Sequence, residues 1–159
     1  MLALASQPLL SIGDTAMIGR LGPRFASRGR TKGTVVMAMP AGERHDLGLA
    51  MLGDILRSDG YRVLNLGADT PGPALVARLR EVDDLSALAL SVVNGESLTA
   101  ASSLIDAVRQ SIGAVPVLAG GAAVRDEQSA QRLGADAWAG DAREVGPIIS
   151  ALAATRGKP

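Results

Sequence analysis

The chain has 159 residues, which is enough for one domain of ordinary size and too few for two comfortable ones. Hydrophobic residues make up 47% of it and aromatic residues only 2%, so the core must be built from Ala, Val, Leu, Ile and Met. The sequence contains one histidine and no cysteine, which excludes disulfide bonds, cysteine-dependent catalysis and a zinc site made of protein side chains alone. Its 16 basic and 16 acidic residues cancel.

Residues 1–32 differ in charge from the rest of the chain, and we expect them to form an N-terminal helix and linker. They hold five basic residues and one acidic residue, so residues 33–159 are mildly acidic, which argues against direct contact with nucleic acid. The helix is expected over Ala3 to Leu21. The N-terminus lacks the features of a secretory signal, and no segment is apolar over the length of a bilayer. The sequence therefore predicts a soluble cytoplasmic protein without membrane contact.

From Thr34 onward, short β-rich runs alternate with helical stretches. A first strand is predicted over Thr34 to Met39, ended by Pro40, which cannot donate a backbone hydrogen bond. A first helix from Leu47 to Arg57 has apolar residues at helical spacing, namely Leu47, Met51, Leu52 and Ile55. The remaining strands are predicted at 61–66, 87–93, 116–119 and 135–139, and the remaining helices at 71–82, 97–112, 126–133 and 143–154.

This alternation predicts an α/β domain over residues 33–159, with a five-stranded parallel sheet and helices on both faces. Such a three-layer arrangement is flavodoxin-like, or Rossmann-like. Ligands of these sheets bind beyond the carboxyl ends of the strands, where the strand order reverses. We therefore look for functional residues in the loops after strands one, three and four, which are residues 40–48, 91–96 and 120–124.

The single histidine, His45, follows the first predicted strand and comes just before the first helix. A metal-bound imidazole usually donates its other ring N–H to a carboxylate, and Glu43 is placed to accept it if the loop curls. Gly48 has no Cβ and would let a bulky planar ligand approach the start of the helix. A surface histidine in a loop is the simpler interpretation, and the residues alone leave both open.

Three elements in these loops resemble those of cobalamin-binding domains. The run Glu43-Arg44-His45-Asp46-Leu47-Gly48 is similar to the D/E-x-H-x-x-G motif of that family, Ser91-Val92-Val93 resembles its S-x-L or S-x-V element, and Gly120-Gly121 its later G-G element. All three follow the expected strands in the expected order, and the resemblance covers about residues 33–156. It implies adenosylcobalamin or methylcobalamin as cofactor, bound by Glu43, Arg44, His45, Asp46, Leu47, Gly48, Ser91, Val93, Gly120 and Gly121.

In that family the histidine replaces the cofactor's own dimethylbenzimidazole as lower ligand of the cobalt. The resemblance therefore implies His45 as the metal ligand and base-off cobalamin, with the four equatorial nitrogens supplied by the corrin. The displaced nucleotide tail needs a slot lined by small side chains, where Ser91 would offer a hydroxyl and Gly120 and Gly121 would leave room. Taken alone, the glycine pair is equally typical of a strand-to-helix turn, and Ser91 of a satisfied hydroxyl at a strand end.

Among the proteins that share this module, the chain looks most like CarH-type, MerR-linked, light-sensing transcriptional regulators. Glu43 stands where enzymes of the family usually have Asp, and Gly67-Ala68-Asp69-Thr70-Pro71 resembles the G-x-D-T-P element after the second strand of the regulators. A regulatory sensor, a photoreceptor in this family, is therefore favoured over an enzyme. The alternative is a corrinoid-carrying domain or small subunit of an adenosylcobalamin mutase or a methyl-transfer system.

The chain departs from those regulators in what covers the upper corrin face. They carry a DNA-binding domain and a capping helical bundle, whereas here Trp138 is the only tryptophan and no histidine precedes His45. At most, Ala3 to Leu21 is the last helix of such a bundle. The resemblance therefore implies a partner protein or domain over the upper face. A receiver-like domain without corrin is disfavoured, because Pro40–Gly42 and Ser91–Val93 replace the acidic residues that a receiver needs.

Overall fold

In the computed structural model, which describes residues 29–156, the strands form one parallel sheet in the order β2-β1-β3-β4-β5. The strands are β1 (Thr34–Ala38), β2 (Arg62–Asn65), β3 (Leu85–Ser91), β4 (Val117–Gly120) and β5 (Ala137–Ala139). The helices are α1 (Leu47–Ser58), α2 (Gly72–Arg80), α3 (Leu98–Ser111), α4 (Glu127–Arg132) and α5 (Ala142–Arg156), with a 3-10 turn at Gly95–Ser97. The predicted fold class is confirmed.

Two hydrophobic clusters lie on opposite faces of the sheet. Successive side chains of a strand point to opposite faces, so Val36 joins the cluster formed with α2, α3 and α4, while Val35 and Met37 join the cluster formed with α1 and α5. Every residue of β1 is buried, as is typical of a central parallel strand with helices on both sides. The three layers that the alternation predicts are therefore present.

Helix α1 turns a different face to the sheet from the one its apolar spacing suggests. Its buried residues are Leu49, Gly53 and Leu56, whereas Met51 is 52% exposed. Gly53 explains the rotation, because a Cβ built there would lie 3.1 Å from the Cε of Met37 on the sheet. The absence of a side chain lets the helix approach the sheet at this point, which apolar spacing alone does not reveal.

Strand β3 begins and ends two residues before the prediction, at Leu85–Ser91 instead of 87–93. Its apolar character continues through Val92 and Val93, but the N–H groups of Val93 and Asn94 donate to a side chain of another loop. Hydrogen bonding therefore ends the strand before the hydrophobic run does. This displacement places Val93 in the loop at the carboxyl edge of the sheet.

The predicted N-terminal helix, Ala3 to Leu21, lies outside the described residues. None of the helices within residues 29–156 combines the length and the apolar character needed to cross a bilayer.

The packing of α3 on the sheet provides a test of the fold. Ile105 is completely buried, so we expect Ile105→Ala to lower the free energy of unfolding by about 2–5 kcal/mol and Ile105→Val by about 0.5–1.5 kcal/mol. Urea denaturation followed by circular dichroism measures both changes. Ser103→Ala, on the exposed side of the same helix, is the control and should be nearly neutral. Equal effects of Ile105→Ala and Ser103→Ala would contradict this packing.

Candidate functional site

The loops after β1 and β3 are joined at the carboxyl edge of the sheet by one side chain. The chain leaves β1 and β3 toward neighbours on opposite sides, so the switch point for ligand binding lies between these two strands. There the Glu43 carboxylate oxygen Oε1 accepts hydrogen bonds from the backbone N–H groups of Val93, at 2.8 Å, and Asn94, at 2.6 Å. Glu43 thus links the loop that carries His45 to the loop that follows β3.

The second carboxylate oxygen of Glu43, Oε2, is buried without a hydrogen-bond partner. Glu43 is 1% exposed, and Oε2 is the one buried side-chain polar atom of residues 29–156 that lacks a partner. Burying a polar atom without a hydrogen bond is unfavourable, so such atoms are rare in protein interiors. The site therefore contains an acceptor for a hydrogen-bond donor that the protein does not supply in this conformation.

The other members of the six-residue motif follow Glu43 in an exposed or half-buried loop and in the first turn of α1. The expected hydrogen bond from the His45 imidazole to the Glu43 carboxylate is not formed in the described structure, and His45 is exposed. Arg44 is also exposed, Asp46 precedes α1 without capping it through its side chain, and Leu47 is the half-buried first residue of α1. The imidazole is therefore accessible to a ligand.

A cavity of about 280 Å³ lies beside the motif, between the sheet and the helices α1 and α5. Five of the predicted site residues line it, namely Gly48, Ser91, Val93, Gly120 and Gly121. The other lining residues are aliphatic or glycine, so Ser91 brings the one polar side chain among the described lining residues. The volume of the cavity is near the lower end for small-molecule pockets, which are roughly 300 Å³ or larger. The cavity suits a small, largely apolar group with one hydrogen-bonding atom.

Strand β5 and helix α5 also contribute to this cavity, although their residues were not among the predicted site residues. Ala139, Gly140, Ala142 and Val145 line it on the same face of the sheet as α1, next to the edge strand β5. The sequence feature that could have predicted this wall is the pair of small residues Ala139-Gly140 at the end of the fifth strand, because small residues there leave space beside the sheet.

Three of the four glycines that line the cavity, Gly48, Gly120 and Gly121, are predicted site residues, and they are glycines for different reasons. A Cβ on Gly120 would lie 2.6 Å from the carbonyl oxygen of Ala139, and Gly121 has φ +98° with the carbonyl oxygen of Val92 2.4 Å from such a Cβ. The fold itself therefore requires the glycine pair, as in the strand-to-helix turn considered above. Gly48 lies in the first turn of α1, where a Cβ would meet nothing within 4 Å. No packing contact accounts for glycine at that position.

Comparison with known proteins identifies relatives of most of the chain. Residues 33–149 match the family model described as the B12 binding domain. The chain is 31% identical over 128 residues to the HTH-type transcriptional repressor CarA of Myxococcus xanthus, covering 80% of this chain and 41% of the repressor. It is 29% identical over 138 residues to the dimethylamine corrinoid protein of Methanosarcina barkeri, covering 82% of this chain and 61% of that protein. The chain thus spans less than two thirds of the length of these relatives.

Solved structures resemble the fold over a similar range. The monomethylamine corrinoid protein of Methanosarcina barkeri superposes with a TM-score of 0.73 at 22% identity, over 85% of this chain and 65% of that one. A cobalamin-binding protein from Desulfitobacterium hafniense gives a TM-score of 0.68 at 26% identity, over 87% of this chain and 65% of that one. Because the family model covers most of its length, the chain belongs to the B12 binding domain family, and cobalamin or a related corrinoid is its cofactor.

Proposed function

We propose that this domain binds cobalamin base-off, with His45 as the lower ligand of the cobalt. The observation that carries the proposal is the buried, unpartnered Oε2 of Glu43, two residues before the exposed imidazole. An imidazole that gives one ring nitrogen to a metal needs an acceptor for its other ring N–H. Glu43 has such an acceptor free while its Oε1 stays bonded to the loop after β3.

Each residue around the cofactor then has a defined role. The Glu43 carboxylate selects the imidazole tautomer that keeps a lone pair for the metal, and it raises the basicity of that nitrogen. Gly48 leaves room at the start of α1, and Ser91 offers its hydroxyl within the cavity, which would take the displaced nucleotide tail. Arg44, Asp46, Leu47 and Val93 complete the lower side. When bound, cobalamin supplies the equatorial nitrogens and a light-sensitive or transferable upper ligand.

We propose further that the domain is a regulatory, light-responsive sensor module and that a partner protein or domain covers the upper corrin face. The transcriptional repressor at 31% identity supports a regulatory role. The exposed Met51 and Val93, at 52% and 38%, are the large hydrophobic side chains that the described surface leaves uncovered. Val93 lines the cavity on the lower side, so the bound cofactor itself would cover it, whereas Met51 on α1 would stay free for a partner.

The second candidate function is a corrinoid carrier in a methyl-transfer system. The 29% identity to the dimethylamine corrinoid protein favours it, as does the fold shared with corrinoid proteins of the same organism. In that case the lower ligand and the cavity keep the same roles, and the partner over the upper face would be a substrate-binding enzyme subunit.

The role of His45 is tested by His45→Ala. We expect cobalamin affinity to fall by at least about tenfold, because loss of a metal ligand removes more than the loss of its supporting contacts. The absorption spectrum should also lose the features of imidazole coordination. Titration with hydroxocobalamin followed by absorbance measures both, with Gln110→Ala, exposed on α3, as the control. Unchanged affinity and spectrum in His45→Ala would contradict the assignment.

Gly48→Ala separates a requirement of the ligand from a requirement of the fold. Alanine favours a helix over glycine by about 1 kcal/mol, and the Cβ meets no atom within 4 Å, so the cofactor-free domain should become slightly more stable. Cobalamin binding should nevertheless weaken, because the methyl group enters the space left for the planar ligand.

The control for Gly48→Ala is Ser103→Ala, on the exposed side of α3 and outside the cavity. Urea denaturation and cobalamin titration of both variants complete the comparison. Equal cobalamin affinities of the two variants would show that Gly48 leaves no space for the cofactor.

Illumination distinguishes the sensor from the carrier. The adenosylcobalamin complex of a sensor should change its absorption spectrum and its oligomeric state in light, because cleavage of the upper ligand alters the surface that a partner covers. Spectroscopy and size-exclusion chromatography before and after illumination measure this, with a sample kept in the dark as control. Photolysis without a change in assembly would favour the carrier.

A further inference from the structure

Asp69 has an unusual backbone conformation in the loop after β2. Among residues 29–156 it is the one residue other than glycine with a positive φ, at 51°. Aspartate tolerates this left-handed conformation better than most residues, although glycine adopts it more readily. A non-glycine residue persists there when its surroundings hold it, and such positions cluster at functional sites. The hydrogen-bond partners of Asp69 therefore indicate which contacts hold this backbone conformation.

Asp69 is hydrogen-bonded twice to the loop after β1. Its carboxylate Oδ1 accepts the backbone N–H of Gly42 at 3.0 Å, and its own backbone N–H donates to the carbonyl oxygen of Glu43 at 3.1 Å. The next residue, Thr70, donates its N–H to the carbonyl oxygen of Met39 at 2.9 Å. The loop after β2 thus holds the loop after β1 along its first half, up to Glu43.

These bonds end two residues before His45. The next backbone anchor is the carbonyl oxygen of Asp46, which accepts the N–H of Ala50 at 2.9 Å in the first turn of α1. Only Arg44 and His45 lie between the two anchors, and both are exposed. The place of the imidazole relative to the buried Glu43 carboxylate therefore depends on how firmly Gly42 and Glu43 are held.

We infer that Asp69 is a positioning residue for His45, acting through the hydrogen bonds that fix Gly42 and Glu43. The inference rests on the proposed role of His45 as cobalt ligand and adds a residue of another loop, outside the D/E-x-H-x-x-G motif. It also gives the G-x-D-T-P element a physical role: its aspartate supplies both a side-chain acceptor and a backbone donor to the ligand loop. The left-handed φ is what lets one residue present both groups to the same loop.

Two variants isolate the carboxylate. Asp69→Gly removes the Oδ1 acceptor, adopts the left-handed conformation easily and keeps the backbone N–H that reaches Glu43, so the protein should fold. Asp69→Asn keeps an oxygen acceptor in the same place and is the matched control. In the cofactor-free protein, hydrogen exchange of the Gly42 amide should be faster in Asp69→Gly than in the wild type and near wild type in Asp69→Asn.

The effect on ligation is measured with bound cobalamin. Loss of one hydrogen bond predicts about threefold to tenfold weaker hydroxocobalamin affinity in Asp69→Gly, with Asp69→Asn within about twofold of wild type. With ¹⁵N-labelled protein, electron paramagnetic resonance of the Co(II) form should show imidazole ¹⁵N splitting in the wild type and in Asp69→Asn. The ¹⁵N-coupled fraction should be smaller in Asp69→Gly, and the label distinguishes the imidazole from the unlabelled benzimidazole of the cofactor.

The outcomes separate this inference from the assignment of His45. Absence of imidazole nitrogen splitting in the wild type would overturn the role of His45, and the role of Asp69 with it. Splitting in the wild type that persists undiminished in Asp69→Gly, with unchanged affinity, would overturn the role of Asp69 alone. Unchanged exchange of the Gly42 amide in Asp69→Gly would also overturn it.

Discussion

The buried carboxylate of Glu43 is the contact on which the site depends. Parallel strands β1 and β3 lie side by side, but their chains leave the sheet toward opposite neighbours, so the loops that follow them diverge. Glu43 bridges these loops through the amides of Val93 and Asn94, and the same bonds end β3 at Ser91. A glutamate that is 1% exposed therefore connects the two loops of the candidate site while keeping one oxygen for a further donor.

The cavity beside Glu43 is lined both by glycines that the fold requires and by a glycine that it does not require. Gly120 and Gly121 allow backbone to approach backbone, since a Cβ on either would collide with the carbonyl oxygen of Ala139 or Val92. Gly48 meets no such constraint, and glycine in a helix is unfavourable by about 1 kcal/mol relative to alanine. Gly48 thus lines the cavity at a position where the fold does not require glycine.

Much of the architecture was predictable because it follows from local patterns. Alternating apolar strands and amphipathic helices define the parallel sheet, and the loops at the carboxyl ends of β1, β3 and β4 contain the residues that border the site. The face of α1 was not predictable from apolar spacing, because Gly53 lets Met37 pack closely and leaves Met51 exposed. The cavity wall from β5 and α5 was not predicted, because residues 139–145 approach the ends of β3 and β4 and the start of α1 only in the folded sheet.

The sequence by itself determined the fold class, the family and the loop that bears the single histidine, since each is encoded by residues close together along the chain. Tertiary structure alone decided how that loop is held. Glu43 was expected to pair with His45, but its Oε1 is bonded to amides fifty residues away, and Asp69 joins the same loop from a third strand end. Such contacts depend on which strands are neighbours and on backbone N–H and carbonyl groups. Every residue type has a backbone carbonyl and all but proline have an N–H, so the sequence does not reveal which of them will be used.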